Sequence, residues 1–444
     1  MRALNVWING DLVGTWVHGR NDVHTFTYDP VWETSPERRS LSLSLPLGST
    51  SEIRGAPVIH YFDNLLPDAD RIRKRLKMRY QTRSDQAFDL LEAIGRDCVG
   101  AVQLLPPGTE PAGFDELAYT PLDEAGVADQ LRRVPEWRGY AVTGPSDFRI
   151  SIAGAQEKTA LLKMGDQWCL PQGATPTSHI FKLPLGLVGG FDYDLRHSVE
   201  NEWLCLRFLN AVGLPVASAE IAQFEDQKAL IVERFDRAWV PHHLKADAWL
   251  ARVPQEDFCQ ALGISPDQKY EVDGGPGMRE SLRLLQGSQA AFVDRSIFVL
   301  AQFAFWLLAA TDGHGKNFSI RLDSGDRYSL TPLYDVLSAW PIIGRGPISL
   351  SMEDATLAMA VRGRNAHYRL SEIQARHWKA LAEGCGTSDV WGLMVNLATS
   401  IEGAIGCVMA QLPENYPIVL AETIFNGVRK QASRFLVSMD SKAS

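Results

Sequence analysis

The chain has 444 residues, 45% hydrophobic and 22% charged, which excludes a disordered polymer and leaves length for two or three domains with substantial cores. With 44 basic against 53 acidic residues the formal net charge is −9, so bulk charge argues against autonomous nucleic-acid binding and leaves only a local basic patch for it. The six cysteines, Cys98, Cys169, Cys205, Cys259, Cys385 and Cys407, form no CxxC pair, which argues against zinc ribbons and a disulfide framework and fits a reducing cytoplasm.

The N-terminus, MRALNVWINGD, runs straight into strand-like alternation with no apolar signal core. Asn9-Gly10 between LNVWI and LVGTWV is a type I′ hairpin signal. Residues 25–28 and 41–45 (LSLSL) continue the alternation, and 61–67 (YFDNLLP) starts a helical part that runs on into 70–80. That last stretch, DRIRKRLKMRY, carries Arg71, Arg73, Lys74, Arg75, Lys77 and Arg79. A solvated face is the ordinary account of such a cluster, and a partner, nucleic acid included, is the other. A helix is predicted over 85–94 and a strand within VGAVQLL, so residues 1–108 read as an N-terminal α+β subdomain. The stretch 106–113 (PPGTEPAG) forbids a continued strand or helix and marks a boundary between about 108 and 140.

Residues 109–235 read as the rest of a strand-rich lobe. RISIAGAQEKTALLK (149–163) and 167–170 are predicted as strands, and small residues at Ala153, Gly154 and Ala155 would let backbone amides approach phosphates. A single glycine in a small-residue turn is also a common structural device, and the loop matches neither a Walker A nor a GxGxxG pattern. SHIFKL (178–183) places Lys182 in an apolar strand, where an ammonium is costly unless paired; a snorkelling edge lysine is the competing account. A helix over 195–212, stopped by Gly213, turns Glu202 toward the face shared with Val199, Trp203, Leu206 and Leu209. Glu202 is the natural partner for Lys182, and the spacing leaves Glu200 open as the alternative. Strands over 217–224 and 229–232 then lead into a hinge at Glu233, Arg234 and Phe235.

Residues 236–444 read as a mainly helical lobe, with 350 onward judged helical from DATLAMAV and the spaced apolar residues of 386–411. At its centre, 296–310 (SIFVLAQFAFWLLAA) is predicted as a buried helix, too short for a membrane span of roughly 20 residues and interrupted by a glutamine. It delivers TDGHGKNFSIRLDSGDRYSLTPLYD (311–335), where Asp312, His314, Lys316 and Asn317 crowd together before two short strands and Asp335. Helix, Asp…Asn loop, hairpin, second Asp is the order of a protein kinase. Asn317 and Asp335 offer oxygens to Mg²⁺, a hard ion held by few protein ligands plus phosphates, and Asp312 can take the hydroxyl proton. Each residue alone is equally at home in a turn or cap; their order after a buried helix carries the reading.

SIAGAQEKTALL, SHIFKLP, ENEWLCL, VERFDR, TDGHGKNFSI and LYDVLS in this order, with YFDNLLPD near the start, resemble the HipA family of bacterial toxin kinases over nearly the whole chain. The resemblance implies a two-lobed protein-kinase-like α+β fold and an ATP- and Mg²⁺-dependent serine/threonine protein kinase, the toxin of a type II toxin–antitoxin module. It implies a helix-turn-helix antitoxin of the HipB kind as partner, operator DNA bound through that complex, and glutamyl-tRNA synthetase as substrate, with arrested translation and persistence as the outcome. Carried onto this chain, it makes Asp312 the catalytic base and Asn317 and Asp335 the metal ligands. ATP contacts fall on Ala153, Gly154, Ala155, Gln156, Glu157, Lys158, Lys182, Glu233, Arg234, Phe235, His314, Gly315, Lys316, Asn317, Tyr334 and Asp335. Glu202 matches the family's helix glutamate and Ser151 its regulatory autophosphorylation site.

The chain has no HRD and no DFG, and the DxHxxN spacing is shared with lipid kinases. A small-molecule or lipid kinase is therefore one alternative. A non-catalytic corepressor on DNA is the other, with Arg362, Arg364, Arg376 and Lys379 as candidate phosphate contacts, against which the full set of Lys182, Asp312, Asn317 and Asp335 speaks.

Overall fold

Asn9 and Gly10 both take positive φ, 48° and 91°, as a type I′ turn requires, and they join strands Arg2–Ile8 and Asp11–His18. The computed structural model describes residues 1–48, 52–134, 156–188, 193–241, 248–345, 349–387 and 389–440. Two compact units divide them. The first takes Met1–Leu183, Ala222–Gln268 and Ser319–Tyr328, the second Pro184–Ile221, Lys269–Phe318 and Ser329–Ser444.

In the first unit the hairpin is the middle of a five-stranded sheet ordered Ile53–Arg54, His24–Tyr28, Asp11–His18, Arg2–Ile8, Val102–Leu105. Helices Ala56–Asp63 and Ala87–Ile94 contribute to the same core, where the Trp16 ring stacks on Phe62 at 4.0 Å. The predicted strand over 41–45 is instead a turn. Leu41 and Leu45 are buried, but the Ser44 hydroxyl donates to the Gln260 carbonyl at 2.7 Å and lies 2.8 Å from that of Ser42, taking the place of strand pairing. The helix expected to run from 61 into 80 is two helices, because Asn64 turns its side chain back onto the carbonyls of His60 and Ile264. The second, Asp70–Tyr80, buries no residue fully, and two of its arginines are engaged, Arg73 by Asp63 and Arg75 by Glu157, both at 2.6 Å.

A second sheet of six strands is ordered Ala219–Phe224, Gln227–Glu233, His179–Lys182, Lys158–Met164, Gln167–Pro171, Tyr119–Leu122. Between the two sheets lies a buried ion cluster. Asp97 accepts from Arg237 at 2.8 Å and from Arg234 and Arg252 at 3.3 Å, and Asp236 clamps Arg234 at 2.7 Å. Thr177 donates to Asp97, the Gly100 amide to Asp236, and Arg252 is held through its backbone by Asn9 of the hairpin. Burial alone would raise the Asp97 carboxyl, but the charges of Arg237, Arg234 and Arg252 outweigh it and hold the group well below the usual carboxylate range.

In the second unit, the long helix is Ala291–Leu308, starting five residues before the apolar run and ending where Ala309 turns left-handed at φ 50°. Phe303 sits among the rings of Trp306, Trp378 and Phe435. On length and composition alone this helix and Val390–Met409 are apolar enough to cross a membrane, so shortness does not exclude it. What marks the first as a core helix is its buried face, continuous from Phe303 to Leu308. The stretch read as helical at DATLAMAV is a strand, Thr356–Arg362, paired with Ala366–Arg369. Residues 357–361 are all buried, and an unbroken apolar run carries no period by which to tell strand from helix. Helices Ala375–Gly384, Val390–Met409 and Ile418–Asp440 follow.

The ion cluster makes the stability of the first unit measurable at one residue. Asp97→Asn is expected to cost about 3–5 kcal/mol in urea unfolding, because it leaves buried guanidiniums uncompensated. Since the native carboxyl titrates below its unfolded value of about 4, the difference between wild type and variant is full above that pH and shrinks as pH falls through the native value. A difference that stayed constant from pH 7 down to pH 3 would contradict this account.

Candidate active site

The polar loop leaves the long helix through Ala309 and is pinned at once. A Cβ on Gly313 would stand 2.6 Å from the Phe305 ring, so only glycine lets the loop lie against the helix. Asn317 then gives its side-chain N–H groups to two main-chain oxygens, that of Asp312 at 2.8 Å and that of Asp335 at 3.4 Å. One amide thereby holds both arms of the loop, 312 and 335. Its nitrogen being committed to carbonyls, its oxygen faces the other way and is available to a cation. Asp335 is itself left-handed, at φ 61°, a conformation uncommon outside glycine and one that re-aims its carboxylate. Oxygen donors from an amide and a carboxylate are the ligand chemistry of Mg²⁺, so the residues present fit that ion.

Asp312 keeps its side chain 61% exposed, while His314, Lys316 and Asn317 are buried around it. Its carboxylate accepts a hydrogen bond from the Tyr270 hydroxyl, and His314 Nε2 stands 3.8 Å away with its ring edge-on to Tyr270. Tyr334 donates to the Lys316 carbonyl at 3.0 Å, and the Gly315 amide to that of Lys269 at 3.2 Å. An exposed carboxylate with buried supports can take a proton from an incoming hydroxyl.

In the first unit the lysines are the notable pair. Lys158 and Lys182 are direct register partners in adjacent antiparallel strands, which puts both side chains on one face. Like charges opposite each other are destabilising unless anions join them. Lys182 is buried in its strand and Lys158 half-buried. Glu157 is held by Arg75, Gln156 donates to the Leu183 carbonyl at 2.6 Å, and Leu183 N donates to that of Glu157 at 3.3 Å, so the strand entrance beside the lysines is tied down. Ser151, Ala153, Gly154 and Ala155 lie outside the described residues.

Glu233 is exposed and Phe235 half-buried, but the Arg234 side chain belongs to the Asp97 cluster and its amide donates to the Ser178 carbonyl at 2.9 Å. Glu200 and Glu202 are both buried in the helix Ser198–Ala211. Arg362 is engaged by Glu271, while Arg364 and Lys379 are exposed. Sequence reasoning missed Tyr270, which sits far from the loop it serves and has no periodic signature, and the Asp97 hub. It also missed His18, Asp22 and His24, whose ligand atoms converge. There the Trp16 indole donates to His24 Nδ1 at 3.1 Å, so the neutral ring carries its proton on Nε2, toward Asp22. A metal on that nitrogen would have to displace it.

The HipA-like C-terminal domain family matches residues 150–413, and the HipA N-terminal domain family residues 4–105. The chain belongs to the HipA family. It is 33% identical over 94% of its length to the protein named "Putative kinase Y4mE" of Sinorhizobium fredii, and covers 94% of that protein. It is 28% identical to the "Serine/threonine-protein kinase toxin HipA" of Shewanella oneidensis, over 71% of this chain and 70% of that one. Among solved structures, the Shewanella oneidensis toxin–antitoxin complex of HipA, HipB and operator DNA contains a chain matched at TM-score 0.80 and 24% identity, covering 99% of this chain and 98% of that chain. The fold is thus the kinase-like, two-domain HipA fold, and the family is one of kinase toxins.

The Asn317 bridge is testable apart from catalysis. Asn317→Asp keeps an oxygen ligand but has no N–H to give the two carbonyls, and is expected to lose about 1–3 kcal/mol of stability in denaturant titration. Unchanged stability without metal would show that the bridge does not hold the loop.

Proposed function

We propose that this chain is an ATP- and Mg²⁺-dependent serine/threonine protein kinase, the toxin of a type II toxin–antitoxin pair working in the cytoplasm. The observation that supports it most is the Asn317 bridge, whose side-chain nitrogen ties together the main-chain carbonyls of Asp312 and Asp335, the two residues that carry the carboxylates. Its domains are an N-terminal subdomain over 1–108, the nucleotide-binding remainder of the N-lobe over 109–235 and a C-lobe over 236–444.

Lys158 and Lys182 receive the phosphates, and residues 153–157, Glu233, the Arg234 main chain, Phe235, residues 314–317 and Tyr334 are the other nucleotide contacts in this reading. The helix glutamate of the family falls on Glu202, with Glu200 as the alternative. Asp312 accepts the proton of the attacking hydroxyl, oriented by Tyr270 and by the Asn317 bond to its carbonyl. Asn317 and Asp335 hold Mg²⁺, which when bound neutralises charge on the transferring phosphoryl group. Phosphorylation of Ser151 would set about −1.5 to −2 charges beside the nucleotide phosphates, repelling them and silencing the enzyme. The protein substrate in this reading is glutamyl-tRNA synthetase. The partner is a HipB-like antitoxin, as in the Shewanella complex whose description includes HipB and operator DNA, with DNA bound through that pair.

The test uses purified chain, Mg²⁺ and radiolabelled ATP with glutamyl-tRNA synthetase. Wild type transfers label to a serine or threonine and slows as it labels itself; Ser151→Ala does not slow, and Asp312→Asn transfers about 10²–10⁴-fold less. Equal transfer by Asp312→Asn, or label passing only to sugars, aminoglycosides or inositides, would overturn the protein-kinase reading.

A further inference from the structure

Beside the Asp312 carboxylate lies a pocket of about 360 Å³ that the reaction described above leaves unused. It is lined by Tyr270 and Val272 of one turn, by the strand stretch 356–358 with Ala366 and Tyr368 of the strand paired to it, and by Thr311, the residue before Asp312. The walls are fastened together. Glu271, between the two turn residues, accepts from the Ala360 amide at 2.6 Å and pairs with Arg362 of the same strand. Because the Tyr270 hydroxyl reaches Asp312, pocket and carboxylate share a side chain.

The lining joins apolar residues, Val272, Leu357, Ala358 and Ala366, to the rings of Tyr270 and Tyr368, and its charged residues pair with each other. Leu357 and Ala358 are buried, Val272 is 68% exposed, and the rim charges Arg369 and Glu372 satisfy each other at 3.1 Å. An isolated exposed valine is ordinary, but one standing over a preformed apolar recess next to a reacting group is a contact awaiting an apolar ligand.

Resting on the protein-kinase reading, we propose that this pocket receives a side chain of the polypeptide segment that bears the acceptor hydroxyl, and that it selects an apolar or aromatic residue. In an extended chain successive residues rise about 3.3 Å and alternate faces, so a residue two away from the acceptor projects from the same face roughly 7 Å along. A segment whose hydroxyl lies at Asp312 thus brings that neighbour over the recess. A sugar or inositide acceptor has no such side chain and would leave the recess unfilled. The paired rim offers no net charge to draw an acidic or basic residue instead.

The experiment presents the full-length chain, Mg²⁺ and radiolabelled ATP to an arrayed library of serine peptides with each flanking position varied. It is run with wild type, with Ala366→Trp, which fills the recess from its exposed strand, and with Thr356→Trp from the opposite strand. Wild type should favour Leu, Met or Phe over Gly or Asp at one position near the acceptor by about ten-fold or more. The tryptophan variants, checked for an unchanged thermal midpoint, should lose that preference and phosphorylate peptides roughly ten-fold less per ATP hydrolysed. A flat wild-type profile overturns the proposal, as does a preference that both well-folded variants keep. ATP turnover by wild type with transfer to no peptide also overturns it while leaving the kinase reading intact. ATP turnover no greater than that of Asp312→Asn defeats the kinase reading itself.

Discussion

Two hydrogen bonds from one side-chain amide, those from Asn317 to the main-chain oxygens of Asp312 and Asp335, fix where the reactive groups of the second unit stand. The two segments they join flank the hairpin strands Ser319–Asp323 and Arg327–Leu330 and lie outside its ladder: the first begins at a left-handed alanine and lies on Phe305 by virtue of a glycine, and the second ends at a left-handed aspartate. Backbone of this kind persists only where its surroundings over-determine it. The buried helix Ala291–Leu308 supplies that rigidity from below, and Tyr334 and Lys269 supply bonds at the edges. The Asp312 side chain can stay exposed to an acceptor because everything beneath it is fixed.

The first unit meets a different constraint, the cost of charge taken out of water. Its two sheets are joined by three arginines and two aspartates with little solvent access, an arrangement stable only as a complete set. The same unit places Lys158 and Lys182 side by side across a strand pair. The arginines and aspartates answer one another inside a buried cluster, whereas the two lysines are brought together by strand register. This contrast separates Arg234, whose guanidinium lies in the cluster, from the lysines, although all three stand in motifs that resemble nucleotide-binding ones.

The parts of the site that could be read along the chain are those whose geometry is local. Asp312, Asn317 and Asp335 occur within one helix–loop–hairpin passage, so their order implies their proximity, and Asn9-Gly10 dictates its turn because few other residues accept two positive φ values in succession. The misreadings have physical causes as definite. LSLSL alternates like a strand, yet its serines found partners in Gln260. DATLAMAV ends in an unbroken apolar run, 357–361, that became a strand enclosed on both faces. The stretch 61–80 reads as one helix and is broken by an asparagine whose second partner, Ile264, is remote in sequence.

What the amino-acid order determined by itself was the family, the elements with a clear period or turn signal and the types of group available for chemistry, because motif spacing, turn residues and hydrophobic period act over a few residues. What only the tertiary structure decided was which of those groups meet: Tyr270 with Asp312, Glu271 with the strand at Ala360, Asp97 with arginines more than a hundred residues away. Such contacts depend on how buried surfaces pack and how buried charges find partners, and neither is encoded in any single stretch of chain.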